Sequence, residues 1–287
     1  MNPDDNRNLR SAAFQIAELC APLCAHFVKW AAAAARYPAR VILRDGEIFQ
    51  IIGREMVRLG VPEFKSCADW TAHYATTMMT LSLNENLEKL HVKESYFVKQ
   101  FLEQNGWRDH HTFIDTGFSG TIVANLQNSG FPIQPLFMIS KNPEIESFFA
   151  TDEMHAELSK YQHIDPIDVG YHILDCFPKR VESPTACDIS FSYGKYRLHL
   201  DRLEDFDIDM HKSFMRGVKS YAAKAARRGL DPLGRSVRAM MDNAEDMKSV
   251  LELLSYPTDT MEFEMRLMRL KHDGELDRIR WAHESMR

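Results

Sequence analysis

The densest chemistry in the chain lies in the run Phe113-Ile114-Asp115-Thr116-Gly117-Phe118-Ser119-Gly120-Thr121. Gly117 and Gly120 allow positive φ and a close backbone approach to a ligand, and Thr116, Ser119 and Thr121 add hydroxyl donors. Ile122, Val123 and Leu126 start a helix whose unpaired N–H groups and positive dipole end would face this loop. Together these are the parts of a phosphate cradle. The run is not a Walker A loop, because no Gly-Lys-Ser/Thr follows, and its glycine spacing is not that of a dinucleotide fingerprint. Nor is it a nucleophile elbow, since Thr121 stands where that turn needs its last glycine. A second turn, the charged Arg44-Asp45-Gly46-Glu47, follows a short β-branched-rich run.

The elements that must hold these turns follow from hydrophobic spacing. Val41, Ile42 and Leu43 predict a short strand before the first turn. Ile48, Ile52, Met56 and Leu59 predict a helix after it, closed by Gly60 and Pro62. Phe113 and Ile114 predict a strand ending in Asp115; the helix from Ile122 stops at Gly130, and another strand follows over Pro135 to Ile139. Two strand-turn-helix units separated by a helical insertion, Asp69 to Gly106, predict an α/β fold with a parallel sheet. Ligands of such sheets sit at the carboxyl ends of the strands, so the two turns are expected to face one cleft. Three zones result: a helical segment over 1–38, an α/β core over 39–205 and a helical region over 206–287. The last divides into Met210 to Arg228, Ser236 to Ser255 and Met261 to the end.

Strand, acidic residue, Thr-Gly-x-x-Gly-Thr loop, helix and strand, over roughly 39–140, resemble the type I phosphoribosyltransferases. The resemblance implies a phosphoribosyltransferase-like core in which Asp115 orients ribose hydroxyls and Thr116, Gly117, Phe118, Ser119, Gly120 and Thr121 bind a 5-phosphate. It also implies a first turn that meets pyrophosphate through Arg44 and Gly46, with Asp45 or Glu47 helping to hold Mg2+. Asp115, Arg44 and Asp45 would be the catalytic set. The family has two adjacent acidic residues before its loop, whereas this chain has Ile114-Asp115, and its loop is shorter.

Two other resemblances concern the same residues. Arg44-Asp45-Gly46, Asp115-Thr116-Gly117, Arg216-Gly217 and Tyr256-Pro257-Thr258 are similar to C-terminal regions of bacterial proteins described as haloacid-dehalogenase-type hydrolases linked to surface-polysaccharide synthesis. No Asp-x-Asp nucleophile motif stands near either turn, so phosphoaspartate chemistry is not expected. The string Phe113-Ile114-Asp115-Thr116-Gly117 also resembles the active-site motif of retropepsin-like aspartic proteases, which would make Asp115 one of a carboxylate pair.

The expected activity is binding of a phosphorylated ribose or nucleotide-like ligand, with transfer or hydrolysis at the anomeric carbon. The alternative is a non-catalytic nucleotide or phosphosugar sensor. Formal charge is −6, which gives no general attraction to nucleic acid or anionic membranes. A protein partner or a second copy would use the C-terminal helices, where Lys212, Arg216, Lys219, Lys224, Arg227 and Arg228 form a basic run. The apolar stretch Ala12 to Tyr37 is broken by Glu18, Pro22, His26 and Lys29, and Asp4 and Asp5 stand where a leader would be basic. Neither a membrane span nor a signal peptide is expected.

The five cysteines form no Cys-x-x-Cys pair, which predicts a reduced, cytoplasmic protein without a disulfide framework or zinc site. Cys20 and Cys24 read as buried thiols, Met78-Met79 and Phe148-Phe149 as core, and Tyr193 to Tyr196 as a hairpin tip. His110 and His111, adjacent on an extended segment, must point to opposite faces. Lys65, Lys141, Lys179 and Arg180 are surface cations within a loop's reach of a bound phosphate.

Overall fold

Apolar side chains at helical spacing from Leu9 to Ala31 bury one side of a long first helix, α1 (Pro3–Ala34), which stops short of Pro38. The computed structural model describes residues 3–255 except 44–45, 85–91, 162–164, 166–167, 169, 171–172, 175–176, 179–180, 182–183 and 203–204. After α1 come β1 (Ala39–Ile42), α2 (Glu47–Arg58), β2 (Thr71–His73), α3 (Thr77–Thr80), α4 (Val92–Gln104), β3 (His111–Phe118), α5 (Thr121–Asn128) and β4 (Ile133–Ser140). A short helix α6 (Asp152–Leu158), the hairpin β5 (Ile189–Ser192) and β6 (Lys195–Leu198), then α7 (Asp205–Arg228), α8 (Leu233–Asp242) and α9 (Ala244–Ser255) complete the described chain.

The four long-range strands form one parallel sheet in the order β2-β1-β3-β4. Alternation along each strand divides its side chains between two cores. Val41, Ile114, Leu136 and Met138 join the core built by α1, α2 and α6 to α9. Ile42, Phe113 and Phe137 join a smaller core under α4, α5 and the hairpin. The helix of the β1-to-β2 crossover thus lies on one face, and those of the β2-to-β3 and β3-to-β4 crossovers on the other. That is the doubly wound arrangement expected of an α/β chain.

α1 and α7 pack so closely that a Cβ on Gly217 would overlap the carbonyl oxygen of Phe14 and lie 2.8 Å from the Ala17 Cβ. The stretch Asn6–Ala34 is long and apolar enough to cross a membrane, but 78% of its apolar window is buried inside the protein. The first core draws on all three zones read from the sequence: Leu19 and Phe27, then Ile48 and Ile114, then Phe214 and Val250.

Several boundaries differ from expectation. The insertion before β3 contributes an extra edge strand, β2, too short to show alternation, and β3 runs three residues beyond Asp115. The last helical zone begins at Asp205 and breaks at Asn243, whose side-chain amide donates to the Ala239 carbonyl at 2.8 Å. The helix expected from Met261 and the Tyr256-Pro257-Thr258 motif lie outside the described residues. Met79, Phe148 and Phe149 are core as expected, but Met78 is exposed. Cys20 and Cys24 are buried free thiols, and burial pushes the Cys20 thiol up to about 12. Tyr193 (φ 51°) and Gly194 (φ 73°) form the two-residue turn of the β5–β6 hairpin, the left-handed pair that suits strand twist.

Candidate functional site

β1 has a neighbour on each side, reached through helices on opposite faces, so the sheet's switch point lies between the carboxyl ends of β1 and β3. Val41 is in register with Ile114, which sets Ile42 beside Asp115 and brings the turn at Gly46 and the turn at Ser119-Gly120 to the same edge. Arg44 and Asp45 lie outside the described residues.

The second turn is shorter than the sequence suggests. Asp115, Thr116, Gly117 and Phe118 are still strand: Asp115 is in register with Phe137, Gly117 with Ile139 and Phe118 with Ser140. Asp115 and Thr116 are buried. Gly117 (φ +97°) is demanded by β4 itself, since a Cβ there would come 2.6 Å from the Phe137 Cβ and overlap the Ile139 carbonyl oxygen. Phe118 also has positive φ, 98°, a strained conformation for a bulky residue. Its carbonyl accepts from the Lys141 amide at 3.0 Å, and its ring lies 4.7 Å beneath the Lys141 ammonium. Lys141 is paired in turn with Asp168.

Only Ser119 and Gly120 form the free turn. Gly120 (φ +77°) precedes α5 as a left-handed cap, no side chain caps the helix, and the exposed hydroxyls of Ser119 and Thr121 lie 2.9 Å apart. A helix start without a side-chain cap leaves its first N–H groups to water or to a ligand.

At the other turn, Glu47 opens α2 and its carboxylate accepts from Nε2 of His211 on α7 at 3.0 Å. This bridge ties the switch-point turn to a helix 164 residues away in sequence, a pairing no local pattern announces. Gly46 folds tightly under β1, its amide donating to the Ile42 carbonyl at 3.1 Å.

No protein-family model matches the chain, and comparison with curated proteins finds no match. What can be said of chemistry therefore comes from the site itself. Its edge carries two carboxylates, Asp115 and Glu47, a hydroxyl pair, an uncapped helix start and the cation Lys141. Among the described residues no group of three or more His, Cys, Asp or Glu is gathered as a ready metal cage. One or two carboxylates acting with a substrate's own phosphate oxygens is the way magnesium is usually bound, and Glu47, at the start of α2, is a carboxylate of that kind.

Below the site, on the face that holds Phe113, lies a polar cluster that composition did not reveal. Arg40 of β1 is buried; its Nη1 donates to His73 Nε2 at 2.7 Å and its Nη2 to the Gly106 carbonyl at 3.0 Å. His111 Nε2 lies 3.1 Å from the same Nη2 and 2.5 Å from the same carbonyl, so it can accept from one or donate to the other, not both. Trp107 stacks 5.0 Å from the guanidinium. Burial, followed by the fields of Arg40 and His111, lowers the His73 pKa to about 4, and burial lowers that of Arg40 to about 10. As alternation requires, His111 is buried while His110 is exposed, its ring 4.9 Å from that of Tyr37.

Proposed function

We propose that the chain binds a phosphorylated ribose, free or within a nucleotide-like molecule, at the edge between β1 and β3, and transfers or hydrolyses a group at its anomeric carbon. The observation that carries this reading is the position of the Ser119-Gly120 turn and the uncapped start of α5 at the sheet's switch point, beside buried Asp115. The phosphate would take the N–H groups of the first turn of α5 and the hydroxyls of Ser119 and Thr121. Thr116, Gly117 and Phe118 would shape the turn rather than touch the phosphate, because they belong to the strand. Asp115 would hold ribose hydroxyls and stabilise positive charge developing at the anomeric carbon. Arg44 keeps the role the resemblance gives it, at the leaving pyrophosphate. Magnesium, when bound, would neutralise the phosphates of the substrate, with Asp45 or Glu47 as its protein carboxylate.

A specific observation also favours the non-catalytic reading. The Glu47–His211 bridge links the same turn to α7, so ligand occupancy would be felt by the helical layer, as a sensor requires. Thermal-shift titration with phosphoribosyl pyrophosphate and ribose 5-phosphate, with and without magnesium, on wild type and Asp115→Asn tests both. Stabilisation lost in the variant, with magnesium-dependent consumption of the pyrophosphate donor, is the expected result for the enzyme. Saturable stabilisation without consumption selects the sensor. Absence of any shift removes the phosphoribose reading altogether.

A further inference from the structure

A cavity of about 510 Å³ opens between α1, α7 and α8. Its size falls within the roughly 300–1,000 Å³ typical of small-molecule sites. It lies away from the switch point: Tyr221 on its wall is ten residues along α7 from His211, about 15 Å at the rise of an α-helix.

The cavity has a graded lining. Glu18 is buried, and its carboxylate is already served by Ser220 Oγ at 2.7 Å and Lys224 Nζ at 2.5 Å. Tyr221 is 6% exposed, and its hydroxyl, though beside Asp231, makes no hydrogen bond of ordinary geometry. A buried hydroxyl left in that state favours any ligand that supplies an acceptor. At the rim, Arg228 has no ion-pair partner among the described residues, and Arg235 meets Asp231 only at 3.8 Å. Lys224, Arg228 and Arg235 against Glu18 and Asp231 leave one positive charge in excess. Between floor and rim the walls are Ala225 and Ala239, whose small side chains on facing helices leave room for an apolar body.

From this arrangement we infer that the cavity is a binding site for a small amphipathic anion. Its apolar body lies between Ala225 and Ala239, its carboxylate or phosphate monoester meets Arg228 and Arg235, and an acceptor atom takes the Tyr221 hydroxyl. The inference stands independently of the phosphoribose reading.

Calorimetric titration of the full chain with phenyl phosphate and with benzoate tests it, with inorganic phosphate and phenol as controls. Binding of at least one amphipathic probe, tighter than of either control, is expected, and the tighter probe identifies the anionic group. Exchanging a charge-assisted contact for a neutral one in Arg228→Gln or Arg235→Gln should weaken that probe about tenfold. Filling the space with Ala239→Phe should abolish binding, and Asp115→Asn should leave it unchanged. Should Ala239→Phe fail to fold, the two exposed arginine variants decide. Inorganic phosphate binding as tightly as phenyl phosphate, absence of binding by wild type, insensitivity to both arginine variants, or loss in Asp115→Asn would each overturn the inference.

Discussion

On one face of the sheet, α1, α2 and α7 press Leu19, Phe27, Phe49 and Phe214 into a core where all four are fully buried; on the other, Arg40, His73 and His111 meet beside Phe113 and Trp107. The first face is held by volume and by how closely two helix backbones approach. The second is held in part by a guanidinium that has found two imidazoles and a carbonyl instead of a carboxylate. Volume does not titrate, and imidazoles do. The two faces should therefore fail in different ways, the first to steric change at any pH and the second to acid.

The largest effect belongs to the first face. Gly217→Val puts a side chain where the Phe14 carbonyl and Ala17 already lie, and α7 must move off α1 to admit it. A loss of about 3 kcal/mol is expected, at the upper end for overpacking. Urea denaturation should show a midpoint lowered by the same amount at pH 7 and pH 5. A loss that grew with acidity would mean that moving α7 also disturbs the Glu47–His211 bridge between α2 and α7.

Acid sensitivity of the second face comes next in size. His73 titrates near 4 in the folded protein and near its ordinary 6.5 in the unfolded chain, so between those values the unfolded chain binds the extra proton. Stability is then complete above pH 6.5, declines as pH falls toward 4, and gains no further dependence from this ring below that. The ring is only half-buried, so the decline is on the order of 2 kcal/mol, less than full linkage would give. His73→Gln keeps a group able to accept from Arg40 and removes the titration. Subtracting its stability from that of wild type at each pH from 7 to 4 isolates the histidine from the carboxylates that also protonate there. A difference that stays flat would show that Arg40 and burial do not hold His73 neutral.

What was legible in the sequence divides along the same line. The two strand-turn-helix units, their parallel pairing and the meeting of both turns at one edge follow from local periodicity and the handedness of crossovers, and these bring Ser119 and Thr121 to that edge, whereas Asp115, expected to end its strand, lies three residues inside it. The three-residue strand β2 was illegible because alternation needs more residues than it has. Strand pairing beyond Asp115 was hidden because Thr-Gly-Phe-Ser-Gly reads as a loop; only the approach of β4 makes Gly117 a packing residue. The Glu47–His211 bridge and the Arg40 cluster join residues from distant elements, and no spacing rule reports a contact made only by the fold.

The smallest expected effect is the most informative about the site. Phe118 holds φ at 98°, which costs a non-glycine residue roughly 1–3 kcal/mol, next to a turn that meets no side-chain cap. Phe118→Gly removes that strain but also removes the ring under Lys141 and adds freedom to the unfolded chain, each worth about 1 kcal/mol. The terms oppose, so stability should change by less than about 1 kcal/mol, where truncating an unstrained, half-buried phenylalanine would cost several times more. If the strained residue serves to fix the Ser119-Gly120 turn, ribose 5-phosphate stabilisation should fall in the same variant although its fold does not weaken. A loss of 2 kcal/mol or more would instead make Phe118 an ordinary packing residue of the second face, and the turn would owe its shape to Gly117, Gly120 and β4 alone.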